Sequence, residues 1–347
     1  MAPLYPPPMR HRVRSAGEGR QLLDYLSELI PLPREEVLKA IDEGRFRLEI
    51  GPPLSSKARL RAGQILLADV PERGQADPFL PPPPERLIEL FNDQHLLAVN
   101  KPAGLLCHPL GLTRTSALTI AGRQLAGAAA GELLRCVHRL DRETSGALLL
   151  ARNLAADQAM GRLFAERRVA KRYVALVHGR LAQDQLVVDQ PIARDQGPIR
   201  LKMRVHRDGK SAVTGIRTLQ RFGSAAGFSW IEAAPRSGRT HQIRVHLAHL
   251  GHPLVGDKLY NDEGRAFLKK WRAELSAEDI KSLGLPRQAL HAYELCFQHP
   301  LADQRVRIVA PLPKDLLDFA VSRGGSSPLS VLGSAQGAPA PSSVTAG

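Results

Sequence analysis

The chain has 347 residues, 43% hydrophobic and 24% charged, which suits one large domain and a small one at ~100 to 200 residues each and argues against a disordered chain. The formal net charge of +14 points to a polyanionic partner, nucleic acid first. No apolar run nears the ~20 residues of a membrane helix, the start MAPLYPPPMRHRVRS lacks a signal peptide's apolar stretch, and Cys107, Cys136 and Cys296 stand singly, so the expectation is a cytoplasmic chain with reduced thiols and no paired-cysteine zinc site.

In chain order, GRQLLDYLSELI spaces Leu22, Leu23, Leu26, Leu29 and Ile30 as one helix face. PREEVLKAIDEG puts Pro33 at a second helix start, with Val37, Leu38 and Ile41 as its inner stripe and Gly44 as its stop. RFRLEI alternates as a strand, Gly51-Pro52-Pro53 turns, and LRAGQILLADV reads as a further strand. Two helices feeding a small sheet over residues 11–70, carried by LPREEVLKAIDEGRFRLEIGPPLSSKARLRAGQI, resemble the S4-like RNA-binding domain. The usual Val-Asn-Gly of the strand turn is here Glu49-Ile50-Gly51. Residues 71–85, with Pro81 to Pro84 consecutive, are expected to be a stiff spacer.

Beyond it, ELFNDQHLLAVN reads as two strands turned at Asn92-Asp93, ALTIAGRQL as a helix, GALLLARN as a strand and LAADQAMGRLFAERR as a helix. KRYVALVHGRL, SAVTGIRTLQRF, FSWIEAAP and RVRIVAP add strands, and a charged helical excursion lies between Asp262 and Pro286. The expected class is α+β, an extended mixed or antiparallel sheet flanked by helices over residues 86–322, with a disordered tail at 323–347.

Four stretches carry chemistry. HRLDRETSG sets Asp141 among His138, Arg139, Arg142, Thr144 and Gly146, just before a strand. An aspartate in such a turn is held by backbone N–H groups and hydroxyls, stays ionised, and can act as nucleophile or base. RRVAKRYVALVHG leads through Lys171 and Arg172 to Tyr173, pairing phosphate-binding cations with a ring that stacks on a base. SGRTHQIRVHLAHLGHPLVGD brings Arg239, His241 and Arg244 into a helix after a glycine turn, and NKPAGLLCHP places His108 in a loop after a buried strand.

In this order and spacing the four resemble the RluA-type pseudouridine synthase family over roughly residues 86–320. His138 to Gly146 match HRLDxxTSG, and the patterns KPxGxxxHP, KxYxAxVxG and GRTHQIRVHLxxxGHPLxGD are met as well. The resemblance implies the pseudouridine synthase fold with a central cleft, an S4-like domain ahead of it, and isomerisation of a uridine within RNA. Asp141 would be the catalytic carboxylate, acting at the ribose as nucleophile or as base at C2′. Tyr173 would stack on the target uracil, and Arg244 would pair with and orient the aspartate. Arg139 would enter the RNA beside the flipped nucleotide, with His138, Arg142, Thr144, His108, Lys171, Arg172, Arg239 and His241 as further substrate contacts. No cofactor or metal is implied, and a monomer is expected. The domain order favours large-subunit ribosomal RNA over transfer RNA as substrate. Tyr260-Asn261 replaces the family's common Tyr-Gly, and the 262–286 excursion is long and charged.

Rival readings fail on particulars. His241, His246, His249 and His252 lack metal-site spacing and HExxH is absent, while GHPLVGDK has Asp257 where a phosphate loop needs lysine. HRLD has neither the upstream GxGxxG nor the downstream Asn of a kinase loop. A non-catalytic RNA-binding module or ribosome assembly factor is the rival from another class. Such a protein would have no need of a carboxylate set beside phosphate-binding cations.

Overall fold

The computed structural model describes residues 9–30, 34–68, 79–109, 115–126, 134–224, 227–272 and 274–333. Pro33, most of the proline-rich spacer and residues 334–347 lie outside that set.

At the N-terminal end are β1 (Met9–Arg12), α1 (Leu22–Leu29), α2 (Arg34–Asp42), β2 (Phe46–Leu48) and β3 (Ile65–Ala68). The strands form an antiparallel sheet in the order β1-β3-β2. Leu22 and Leu26 of α1, Val37 and Ile41 of α2, and Phe46 and Leu66 of the sheet close one small core. The helical spacing of the first two sets is what puts them on one side. Leu29, assigned to the same stripe by its spacing, is exposed instead, because it falls in the last turn of α1. Strand β1 gives no apolar alternation in sequence and is held by its ladder to β3.

The larger body begins with β4 (Ile88–Asn92) and β5 (Leu96–Lys101), whose turn is fixed by the Asp93 carboxylate accepting from the His95 and Leu96 N–H groups at 2.7 Å. Next come α3 (Ala117–Ala126), β6 (Arg135–Cys136), β7 (Ser145–Ala151) and α4 (Leu154–Ala165), the last capped by Asn153. β8 (Ala170–His178), β9 (Gln185–Asp189), β10 (Ile192–Arg194), β11 (Met203–Val205), β12 (Val213–Phe222) and β13 (Phe228–Pro235) follow. After them stand α5 (Gln242–His249), α6 (Arg265–Trp271), α7 (Ala277–Leu283), β14 (Leu290–Gln298), β15 (Arg305–Val309), α8 (Lys314–Val321) and α9 (Leu329–Gly333).

Among the described residues ten strands make one mixed sheet, β4-β5-β7-β14-β8-β13-β12-β9, with β6 added to β7 and β15 to β14. Every residue of β7 is buried. Its alternating side chains feed two cores, since Ala147, Leu149 and Ala151 meet Ala156 and Met160 of α4, while Leu148 and Leu150 meet Ile120 and Ala121 of α3. A strand covered on both faces reads as an unbroken apolar run, which GALLLA is.

One parallel contact joins the two halves of this sheet. The start of β14 pairs Ser145 and Gly146 through His291 and Ala292, then gives the same edge to β15. Gly146 has φ of 114°, and a Cβ there would lie 2.3 Å from the Ala292 carbonyl oxygen. Gly146→Ala should therefore cost at least about 2 kcal/mol of stability. A denaturation midpoint equal to the parent's would contradict this.

Two further features depart from the expectations of the sequence. Residues 324–333 are ordered rather than part of a disordered tail. α9 buries Leu332 against Leu316 and Phe319, and the Trp230 indole N–H donates to the Ser326 carbonyl at 3.1 Å. Strand β14, at the centre of the sheet, carries His291 and Glu294 among its apolar residues and so breaks the pattern that marks a buried strand.

Candidate active site

The loop before β7 is held from several sides. Lys101, at the end of β5 and fully buried, donates through Nζ to the carbonyls of Pro102, Leu105 and Arg142 at 3.0, 2.8 and 3.0 Å. Three donors meet three acceptors, so the lysine of NKPAG organises a turn. Burial lowers its pKa to about 8. The Cys107 thiol clamps Leu140, accepting from its N–H at 3.1 Å and donating to its carbonyl at 3.2 Å. Thr144 N–H closes a turn onto the Asp141 carbonyl at 3.1 Å, and Thr144 Oγ1 accepts from Gln288 Nε2 at 2.6 Å.

Asp141 stands in this turn with its side chain 31% exposed. Arg244 Nη1 donates to its Oδ2 at 2.8 Å and Gln288 Nε2 at 3.4 Å. Both bonds reach one oxygen, so Oδ1 is the atom available to a substrate. The rest of the Arg244 guanidinium is locked by Asp257, with Nε to Oδ2 at 2.7 Å and Nη2 to Oδ1 at 2.8 Å. This two-point fork fixes the plane of the group that aims Asp141. Asp257 is itself fully buried and accepts from the N–H groups of Leu259 and Tyr260.

Burial alone would raise the pKa of Asp141, but the charges of His241 and Arg244 and the hydrogen bonds from Arg244 and Gln288 bring it down to about 2. His241, lowered to about 4 by burial and then by Arg244, is neutral at pH 7, so Arg244 is the cation that keeps Asp141 ionised there. The Tyr260 hydroxyl accepts from Met203 N–H at 3.0 Å and shares a hydrogen bond with His241 Nδ1 at 2.9 Å, while His241 Nε2 lies 3.9 Å from Asp141 Oδ2. His241 adopts φ of 56°, a left-handed conformation at the start of α5 that a non-glycine residue keeps only where its surroundings hold it.

Tyr173 and Lys171 lie two apart on β8 and so share a face. Both line a cavity of about 590 Å³ together with Asp141, His108, His138, Arg139, Arg167, Arg236, Arg239 and His241. Lys171 Nζ donates to the Ser237 carbonyl at 3.0 Å and is lowered to about 8 by burial. Burial, then the charge of Asp141, pushes the Tyr173 hydroxyl well above its ordinary value, so the ring is neutral. Arg244 and Thr144 line the inner recess beside Asp141. Arg167 reaches the rim from the end of α4 in a left-handed conformation of φ 60°, its N–H bonded to the Phe164 carbonyl.

Two residues singled out as substrate contacts are elsewhere. Arg172 is on the opposite face of β8 from its neighbours, where Glu232 and Glu294 flank it in a half-buried ion network. A strand's period of two makes this unavoidable once Lys171 and Tyr173 face the cavity. Arg142 does not line the cavity; its Nε donates to the Gly104 carbonyl at 2.9 Å and braces the adjoining turn. Asp257, Gln288, Lys101 and Glu143 also stand in the site, and the sequence patterns alone give them no role there. The GD pair that closes GHPLVGD was the one visible signal for Asp257. Glu143, two residues after Asp141, is bonded by Lys258 at 3.1 Å and by Lys270 at 2.7 Å. Burial would raise its pKa, and the two ammonium groups hold it far below the carboxylate range.

Burial also lowers His138 to about 3 and His291 to about 4. His138 Nε2 accepts from Leu149 N–H at 3.0 Å, and His291 Nδ1 from Ser145 Oγ at 2.9 Å, roles that protonation abolishes. With folded values below the ordinary 6.5, the unfolded chain binds protons first as pH falls. These three imidazoles thus support the fold fully above about pH 6.5 and lose that contribution towards about 4, as unfolding takes up as many as about three protons. Urea unfolding from pH 7.5 to 4.5 should show a steep fall, and a flat profile would contradict it. Among the described residues, no helix is long and apolar enough to cross a membrane.

The sequence profile of the RNA pseudouridylate synthase family matches residues 95–249, which include Asp141, Tyr173 and Arg244. The chain is 36% identical over 309 residues to ribosomal large subunit pseudouridine synthase D of Xanthomonas campestris pv. campestris, covering 88% of this chain and 89% of that one. It is 35% identical over 302 residues to the protein of the same name from Neisseria meningitidis serogroup B, covering 86% and 77%. The solved structure of Human RNA Pseudouridylate Synthase Domain Containing 1 superimposes with a TM-score of 0.55 at 29% identity, over 69% of this chain and 90% of that one. The chain therefore belongs to the RluA family of RNA pseudouridine synthases, and is an isomerase with that family's fold.

Proposed function

We propose that this enzyme isomerises specific uridines of large-subunit ribosomal RNA, with Asp141 as the catalytic carboxylate, Tyr173 stacking on the uracil and Arg244 orienting the aspartate. The observation that carries the reading is one ionised carboxylate, held at one oxygen by Arg244 at 2.8 Å, in the same cavity as a neutral tyrosine ring and a rim of arginines. In the reaction the N1–C1′ bond breaks while Asp141 acts at the sugar, as nucleophile at C1′ or as base at C2′. The freed uracil turns against Tyr173, C5 bonds to C1′, and the C5 proton leaves. Extruding the base costs a few kcal/mol. Ring stacking and the rim cations Arg139, Arg167, Arg236 and Arg239 offset that cost.

Residues 11–70 are proposed as an S4-like RNA-binding domain, 71–85 as a spacer and 86–322 as the catalytic domain, acting as a monomer in the cytoplasm. The ribosomal substrate is favoured because the relatives named for the large ribosomal subunit align over 309 and 302 residues, more than the catalytic segment and the tail together supply, so the likeness takes in N-terminal sequence as well. The test uses ribosomal and transfer RNA transcripts labelled with tritium at C5 of uridine. Release to water from large-subunit RNA is expected. Release from transfer RNA alone would reassign the substrate, and no release from either would overturn the proposal.

A further inference from the structure

The charged excursion over residues 262–286 carries helix α6, which touches both the N-terminal unit and the Asp141 loop. Helix α6 has two contacting faces. Leu268 packs against the small N-terminal core, and Arg272, one turn on, forks onto the Glu36 carboxylate of α2, with Nε to Oε2 at 3.0 Å and Nη2 to Oε1. Lys270, about 200° round the helix from Leu268, bonds Glu143 at 2.7 Å. Positions four apart share a face and positions two apart oppose each other, so the sequence L-K-K-W-R reaches both ways from one turn and a half.

Each end is anchored independently. Towards the N-terminal unit, the Arg200 guanidinium donates to the Ser27 carbonyl of α1. The turn before α6 is fastened by Lys202 Nζ to the Glu263 carbonyl at 3.4 Å, and Gly264 sits against Ile199. Towards the reacting loop, Glu143 is also held by Lys258 and accepts from the Gln288 N–H at 3.4 Å, while the Gln288 side chain bonds both Asp141 and Thr144. Glu36, α6, Glu143 and the Asp141 turn are thus linked by direct contacts.

We propose that α6 couples the docking of the N-terminal unit to the placement of Asp141, with Lys270 and Glu143 as positioning residues. The inference rests on the reading of Asp141 as the reacting carboxylate. A long RNA held by both parts of the chain favours the docked arrangement, draws Lys270 onto Glu143 and fixes the turn that presents Asp141. RNA gripped by the catalytic body alone leaves that turn looser. The N-terminal unit would then raise the rate of the chemical step as well as the affinity, a coupling that needs a docked and an undocked state and contacts that differ between them.

The experiment uses the full chain with the charges of one contact exchanged. Glu36→Arg and Arg272→Glu should each slow single-turnover tritium release at saturating large-subunit RNA about fivefold, with affinity changed less than about twofold, and the double exchange should restore the rate. Lys270→Met should match the single exchanges, and Lys270→Arg should recover most of the rate. In the RNA-free protein, backbone hydrogen exchange over residues 139–145 should be faster in Arg272→Glu and return in the double exchange. Altered affinity at an unchanged rate, or loop exchange equal to the parent's in Arg272→Glu, overturns the coupling. Absence of tritium release in the parent would instead overturn the catalytic reading, and loop exchange would still decide the coupling.

Discussion

Asp141→Asn is expected to lower single-turnover tritium release by on the order of 10⁴-fold while leaving RNA affinity within a few fold, the pattern of losing a group that acts in the transition state rather than in binding. The amide is almost the same size, and its oxygen can still accept the 2.8 Å bond from Arg244 Nη1. It can neither attack C1′ nor remove a proton. The fold should survive, since the side chain is 31% exposed and the turn is held by Lys101, Cys107 and Gln288. Release within tenfold of the parent's would remove Asp141 from the chemistry.

Arg244→Met is the second large effect, and it falls on stability and rate together. The arginine serves two carboxylates, and its loss strands a fully buried Asp257 with two backbone donors. Breaking a buried pair from one side costs about 3–5 kcal/mol. Activity should drop at least about 10²-fold, because Asp141 loses both its counter-charge and its direction. Adding Asp257→Asn to the methionine variant removes the stranded charge and should return much of the stability without the activity. Arg244→Lys should fall between, as one ammonium cannot span both acids in the plane that the guanidinium fixes. Equal recovery of rate and denaturation midpoint in the double variant would mean that Arg244 is structural only.

The legible part of the site was the part written in short, contiguous patterns. Asp141, Tyr173 and Arg244 stand in three such patterns, and the fold brings the three to one recess. Partners supplied by distant chain were harder to see. Gln288 meets Asp141 across 147 positions, and Lys101 reaches the Arg142 carbonyl across 41, with nothing local in QALHAYEL or NKPAG to announce either. Composition groups Arg172 with the other cations of RRVAKRY, whereas the strand's alternation sends adjacent side chains to opposite faces. Most paired strands were visible through alternation or unbroken apolar runs. β14 was not, since its buried polar residues serve internal hydrogen bonds. The short β1 is held by its ladder to β3 and by the His11–Tyr25 bond rather than by any apolar alternation of its own.

Several cations near the chemistry are already paired with acids. Arg244 pairs with Asp141 and Asp257, Lys258 and Lys270 share Glu143, and Arg172 pairs with Glu232 and Glu294. The arginines open to solvent at the rim, Arg139, Arg167 and Arg236, carry the field that phosphates meet. Ionic strength therefore acts on two parts of the enzyme differently: added salt displaces RNA by competing at the rim, while the Arg244–Asp257 pair, shielded from mobile ions, keeps Asp141 aimed once the strand is seated.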